Sequence, residues 1–261
     1  MKKEFKIKQL FFTENNCFKT GRKMKPKGIM SHSTGANNPY LSRYVGPDDG
    51  ILGLNKYGNH WNQAKPDGRS VCVHAWIGYI KDKKGIATYQ SLPWDHVGWH
   101  SGVGPKGSAN TQGYISYEIC EDGLDNRAYF DEVYNEAINL NVYLCRLYDI
   151  PVNNKTIIDH SEGRGLGIAS NHGDVKHWFS RFGKTMDDFR NDIAKRLKEV
   201  EIVAKLENWQ KKQGEEAINS LAKKKDNEGN PIVGSPDKWK KALGEDVPQW
   251  LFWSIIDRIS K

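Results

Sequence analysis

The spacing of hydrophobic and polar residues predicts an alternating α/β domain over about the first 195 residues. Short apolar or alternating runs, which are typical of strands, occur at 28–32, 70–80, 86–92, 113–120 and 156–160. Apolar residues recur at helical spacing from Phe130 to Tyr148 and from Met186 to Leu197. We therefore expect an α/β fold with a central mixed sheet flanked by helices.

Turn signals separate these runs. The polar segment 33–39 is predicted to be a turn after the first run, and the sequence DKKG at 82–85 predicts a hairpin between 70–80 and 86–92. Glycine is frequent between His160 and Asp174, so we expect a loop there.

The composition changes near residue 200. Helical patterns follow at 201–224, at a short helix opened by Ser235 and Pro236, and from Pro248 to Ile259. The pattern predicts an α/β domain over 1–198 and a small all-helical domain over 199–261. Four of the nine tryptophans fall in this second part: Trp209, Trp239, Trp250 and Trp253.

Composition narrows the class of protein. No run of about 18 apolar residues occurs, so membrane insertion is not expected. The formal net charge of +7 suits an anionic partner, either nucleic acid, a lipid surface or an acidic wall polymer.

The basic start of the chain is not followed by an apolar stretch, so we expect synthesis in the cytoplasm without a signal peptide. The four cysteines form no C-x-x-C pair and are expected to be free buried thiols.

Three histidines lie at strand ends or in the loops beyond them, where folds present ligands to solvent: His32, His160 and His172. Asp174 follows two residues after the last of these. Two imidazoles and one carboxylate with an open fourth position make a hydrolytic zinc site. The alternative is that each histidine is an ordinary hydrogen-bonded residue.

Two further segments suggest chemistry. Glu118 interrupts an apolar strand, where burial would raise its pKa towards that of a general base; an exposed strand face is the alternative. Trp99 and His100 lie together in a glycine-rich loop, which suits the rim of a carbohydrate or peptide site, although an ordinary turn would also explain them.

Taken together, four segments resemble the type-2 N-acetylmuramoyl-L-alanine amidases, zinc enzymes related to peptidoglycan recognition proteins. The segments are Gly28–Gly35, Gly98–Gly102, Tyr117–Ile119, and Asp159-His160 with Asn171–Asp174. They occur in the family's order within about residues 5–195, and the likeness is greatest to phage and prophage endolysins of Gram-positive bacteria.

The resemblance implies one Zn²⁺ per chain, held by His32, His160 and Asp174. It implies that Glu118 is catalytic and that His172 stabilises the tetrahedral intermediate. Trp99 and His100 would contact substrate. Many members have a segment such as Lys-x-Cys-Pro-Gly before the third ligand, whereas this chain has Ser170-Asn-His-Gly-Asp174. His172 therefore stays the alternative third ligand.

The resemblance also implies a substrate and a place of action. The enzyme would cleave the amide between N-acetylmuramic acid and L-alanine in bacterial peptidoglycan, after release from the cell by a holin or by lysis. Anionic wall polymers are a further possible partner, and the sequence has no recognisable nucleic-acid motif.

The helical domain is expected to bind the wall, with a dimer interface as the alternative. A non-catalytic peptidoglycan-binding protein of the same fold is the competing interpretation of the whole chain; the oligomeric state is not predicted.

Overall fold

The computed structural model describes residues 5–204, 208–241, 243 and 249–260. Its strands are β1 (Ile7–Gln9), β2 (Gly28–Asn37), β3 (Ala75–Tyr79), β4 (Ile86–Gln90), β5 (Tyr114–Glu121) and β6 (Ile157–Asp159). Its helices are α1 (Asn16–Lys19), α2 (Arg127–Tyr148), α3 (His160–Leu166), α4 (Lys176–Phe179), α5 (Met186–Ala204), α6 (Asn208–Lys223), α7 (Pro236–Lys241) and α8 (Gln249–Ser260). None of the helices in these ranges is long and apolar enough to cross a membrane.

The six strands form one mixed sheet in the order β1-β4-β3-β5-β2-β6. The predicted hairpin is present, because β3 and β4 pair antiparallel on either side of the turn. Two neighbouring pairs towards the β6 edge of the sheet, β5 with β2 and β2 with β6, are parallel. The predicted mixed sheet with flanking helices is confirmed.

Two strand boundaries differ from the predictions. The segment 33–39 is not a turn: β2 continues to Asn37, and its pairing with β5 becomes irregular between Ser33 and Asn37. The polar residues of this stretch therefore extend the strand beyond the hydrophobic core. The strand predicted at 70–80 starts only at Ala75, since Cys72 makes an isolated bridge with Trp99 instead.

The residues after β6 form a helix where a loop was predicted. Asp159 caps α3, because its side chain accepts a hydrogen bond from the Glu162 amide while the Glu162 side chain accepts one from the Asp159 amide. His160 is thus the first residue of a capped helix, not part of a flexible glycine-rich segment. The cap fixes the backbone from which the His160 side chain projects.

Helix α2 covers part of the sheet, packing against β3 and β4. Asn141 in α2 is fully buried and donates a hydrogen bond to the Tyr117 hydroxyl of β5 over 3.0 Å. On β3, Trp76 stacks on Tyr44 with ring centroids 5.0 Å apart and meets Trp61 edge-on at 4.7 Å. All four cysteines are buried, as predicted, and no disulfide joins them.

A buried arginine ties α3 to the rest of the domain. Arg190 in α5 donates to both carboxylate oxygens of Glu162, at 2.9 and 3.0 Å, and to the backbone oxygen of Ile157 at 2.8 Å. Its side chain is only 9% exposed. The guanidinium therefore joins α5, the first residue of β6 and the helix that starts with His160.

Replacing this arginine is expected to destabilise the fold. Arg190→Ala leaves a partly buried Glu162 carboxylate and a backbone carbonyl without their donor, which should lower the free energy of unfolding by about 2–3 kcal/mol. Chemical denaturation measures the change. The exposed Arg181 is a matched control, and Arg181→Ala should unfold like the parent. An equal effect of the two substitutions would contradict the anchoring role.

The chain divides into two compact units, 1–196 and 197–261. In the second unit, Arg258 of α8 donates to the Asp226 carboxylate at 2.7 Å and to the Pro231 carbonyl at 2.8 Å. Trp239 is half-buried. The side chains of Trp209, Trp250 and Trp253 lie outside the described part of the structure, as does Pro248, the predicted start of the last helix. Wall binding by this unit stays a prediction.

Candidate metal centre and active-site groove

The sheet brings the candidate residues together across three neighbouring strands, β5, β2 and β6. His32 in β2 is directly opposite Glu118 in β5. Ser31, the residue before His32, is opposite Asp159 of β6, and His160 follows at once. Because these strands are parallel and in register, paired residues point to the same face of the sheet. His32 and His160, separated by 128 positions in the chain, thus come into contact.

Three potential ligand atoms form a compact triangle. Nδ1 of His32 lies 3.2 Å from Nδ1 of His160 and 3.0 Å from Oδ2 of Asp174, and the last two are 3.9 Å apart. A tetrahedral zinc ion with bonds of about 2.0–2.1 Å holds its ligand atoms roughly 3.3 Å apart. Since a ring nitrogen carries at most one proton, Nδ1 of His32 cannot donate to both neighbours. A shared cation would satisfy all three atoms, so the residues fit a zinc ion.

The protonation states also suit a cation. Burial lowers the pKa of His160 to about 4, so its imidazole is neutral near pH 7 and has a free lone pair. Burial alone would raise the pKa of Asp174, but the hydrogen bond with His32 and the nearby histidine charges lower it to about 2. Asp174 is therefore a carboxylate. Neutral imidazole and carboxylate are the forms that bind zinc.

Glu118 lies in the same groove as these three residues. Its Oε2 atom is buried and has no hydrogen-bond partner in the described part of the chain. Burial raises the pKa of this carboxyl well above its usual range, and the charges of Asp174 and Glu121 raise it further, whereas Arg69 opposes the shift. A carboxyl with a raised pKa and a free oxygen is suited to accepting a proton from a reacting group.

His172 is close to the triangle but is not one of its members. The side chain is exposed, and its ring centroid lies 4.7 Å from that of His160. Its Nδ1 atom is 3.1 Å from the Ser170 hydroxyl. Of the two candidates for third ligand, only Asp174 has an atom within reach of both other ligands.

Trp99 and His100 both line the groove. Trp99 is half-buried and packs against the hydrophobic cluster that includes Trp76. His100 goes further, because its Nδ1 atom lies 3.0 Å from Nε2 of His32. From the sequence, His100 was expected only to contact substrate, and its contact with His32 was not expected.

The groove has a volume of about 530 Å³ and includes residues that the sequence analysis missed. Arg43, Trp61, Asp67 and Arg69 line it, and the two arginines each come within 3.3 Å of the Asp67 carboxylate. All four lie between β2 and β3, in a long stretch without hydrophobic periodicity. The length of that loop was the available signal, because long loops in compact domains are commonly functional.

The chain is similar to known proteins in its sequence and in its fold. The family model for N-acetylmuramoyl-L-alanine amidase, Amidase_2, matches residues 22–176. The Staphylococcus aureus hydrolase AmiA, solved in complex with its ligand, superposes with a TM-score of 0.55 and 16% identity, over 75% of this chain and 84% of that chain. A mutant of PlyL superposes with a TM-score of 0.50 and 19% identity, over 73% and 99%. These two structures share the fold, and no curated protein sequence matches the chain.

The family match covers more than half of the 261 residues and contains the whole candidate site. All four residues of the proposed centre fall inside it: His32, Glu118, His160 and Asp174. The chain therefore belongs to the N-acetylmuramoyl-L-alanine amidase family.

Proposed function

We propose that this amidase is a zinc-dependent hydrolase that cleaves the bond between N-acetylmuramic acid and the L-alanine of the peptidoglycan stem peptide. The observation that carries the proposal is the triangle of His32, His160 and Asp174 ligand atoms in one groove with Glu118. That arrangement supplies metal ligands, a proton acceptor and room for a substrate in one place.

His32 and His160 would hold the ion through their Nδ1 atoms, and Asp174 through Oδ2, with one ion per chain. When bound, Zn²⁺ would supply a Lewis acid that polarises a carbonyl and lowers the pKa of water to about 7. Two neutral imidazoles and one carboxylate leave the loaded site with a net charge near +1. That charge favours a reaction whose transition state is anionic.

Glu118 would act as the general base and then as the general acid. Its carboxylate takes a proton from the attacking water as the water oxygen bonds to the lactyl carbonyl carbon. The same proton then passes to the leaving nitrogen as the carbon–nitrogen bond breaks, giving a lactyl carboxylate and a free L-alanine amine. A raised pKa suits both roles, because the proton must be held between the two steps.

His172 and Trp99 would act on the substrate. His172 is exposed beside the proposed ligand His160, where a ring N–H would donate to the developing oxyanion. Trp99 presents an aromatic surface in the groove, on which a sugar or peptide could pack.

The bond that is cleaved can be identified directly. Purified bacterial walls are digested, and the released fragments are analysed by mass spectrometry. We expect new L-alanine amino termini, free lactyl carboxylates and intact glycan strands. Cleaved glycan, or peptides cut at another position, would contradict the proposed bond.

We further propose that the protein is a phage or prophage endolysin that acts on Gram-positive walls after release by a holin or by lysis. The proposal rests on the family resemblance and on the net charge of +7, which suits an anionic wall. A panel of purified walls tests it: Gram-positive walls should be digested faster than Gram-negative sacculi, and the advantage should shrink at high salt. Equal rates on both would argue against the proposed host.

The unit from 197 to 261 is proposed to bind the wall. Co-sedimentation of walls with a Glu118→Gln chain, with and without residues 199–261, separates binding from cleavage. We expect the full chain to pellet and the shortened chain to remain largely in solution, provided that circular dichroism shows both to be folded. Equal pelleting would remove the targeting role, and a full chain that sediments with the mass of a dimer while the shortened chain sediments as a monomer would indicate dimerisation.

A further inference from the structure

Ligand histidines must present one specific nitrogen to a metal. His32 faces Asp174 and His160 with Nδ1, so Nδ1 needs its lone pair for the ion. A neutral imidazole then carries its proton on Nε2. The position of that proton, and the rotation of the ring about its axis, depend on what Nε2 meets on the far side.

Nε2 of His32 meets His100. The His100 Nδ1 atom is 3.0 Å away, and the two rings meet nearly edge to face, with centroids 5.1 Å apart. With the proton on Nε2 of His32, this contact is a hydrogen bond from His32 to His100. Since His32 is only 2% exposed, solvent has little access as a competing acceptor.

The surrounding chain holds His100 in place. The Asn110 side-chain oxygen accepts hydrogen bonds from the backbone amides of His100 and Ser101, each over 3.0 Å. Gly98 leaves room for the ring, because a Cβ there would lie 3.3 Å from Cδ2 of His100 and 2.9 Å from Cε1 of His74. The loop thus fixes the acceptor before any ligand binds.

His160, the other proposed ligand histidine, has a longer contact on its Nε2 side than His32 has. Nε2 of His160 lies 3.3 Å from the Ser170 hydroxyl, which is also within reach of His172 and of the Ser101 carbonyl. Both ligand histidines therefore face the triangle with Nδ1 and an outer acceptor with Nε2. His100 offers the shorter contact.

We propose that His100 is a positioning residue for the metal centre: its Nδ1 atom accepts the Nε2 proton of His32 and so holds His32 in the tautomer and orientation that ligate zinc. This inference rests on the proposed zinc site and adds a second role to the substrate contact expected of His100 from the sequence. Removing such an outer acceptor lowers metal affinity by about tenfold to 100-fold in characterised metal sites.

The test compares two substitutions of equal shape. Asn and Leu both branch at Cγ, but only Asn has an acceptor oxygen near the position of the histidine Nδ1. We expect His100→Leu to bind zinc about tenfold to 100-fold more weakly than the parent in competition with a chromogenic chelator. We expect His100→Asn to recover most of the lost affinity. His177→Ala, which removes an exposed histidine outside the triangle, is the control and should bind zinc like the parent.

Each result decides the matter. Parental affinity in His100→Leu, or equal losses in the Leu and Asn variants, would overturn the positioning role, since the first excludes coupling and the second indicates packing alone. If His100→Leu does not fold by circular dichroism, the Asn and Ala variants are compared in its place. A parent chain that binds no zinc would instead overturn the proposed zinc site, so the two failures are distinguishable.

Discussion

Glu118→Gln is expected to fold, to bind zinc like the parent and to lose most of its turnover. Gln keeps the size of the side chain but cannot accept the proton of the attacking water. General acid–base catalysis contributes about 10²–10⁴-fold to rate, so a loss of that order is expected on purified walls. The fold should be unaffected, because Oε2 of Glu118 makes no hydrogen bond within the described residues.

Glu121→Gln is the matched control for this prediction. Glu121 lies in the same strand and is also buried, but it faces His177 over 2.9 Å and does not line the groove. Its variant should digest walls at a rate close to that of the parent. If Glu118→Gln keeps the parental rate, the general base is another group; if both variants lose activity equally, the effect is one of charge near the sheet and not of proton transfer.

The second large effect, on zinc binding and activity, is expected when the proposed third ligand, Asp174, is replaced. Asp174→Ala should lower zinc content after dialysis against a weak chelator and abolish activity, because one of the three ligand atoms is removed. His172→Ala should retain zinc and lose about 10²–10³-fold in kcat, the cost of one oxyanion donor. Metal analysis and wall digestion on the same preparations measure both quantities.

The opposite pattern would exchange the two roles. Zinc loss in His172→Ala with zinc retention in Asp174→Ala would make the site one of three histidines. Added zinc provides a further check: a high concentration should partly restore Asp174→Ala if the defect is affinity, but should leave His172→Ala unchanged.

Where a periodic pattern coincided with a turn signal, the sequence was sufficient to predict structure. The β3–β4 hairpin and helix α2 were both recognisable in this way. The ends of the helices and strands could not be predicted in this way. The strand β2 extends through polar residues to Asn37 because its backbone pairs with β5, and such pairing leaves no hydrophobic signature.

The candidate site was predictable to the same extent. His32 and His160 were candidates because the sequence predicted each of them at the end of a strand. In the structure their Nδ1 atoms lie 3.2 Å apart. Spacing along the chain could not show that distance, nor that Asp174 and not His172 completes the triangle. The contact between His100 and His32 depends on how the loop that contains His100 approaches β2, and the order of residues along the chain does not predict it.

The pairing of His32 with Glu118 has a consequence for how this enzyme can diverge. Their backbones are joined by adjacent strands of one sheet, so the distance between them is set by the interstrand spacing of about 4.8 Å. The long segment between β2 and β3 contributes Arg43 and Arg69 to the groove without touching that pairing. Substitutions in this segment can therefore change the lining of the groove while the distance between the backbones of His32 and Glu118 stays the same.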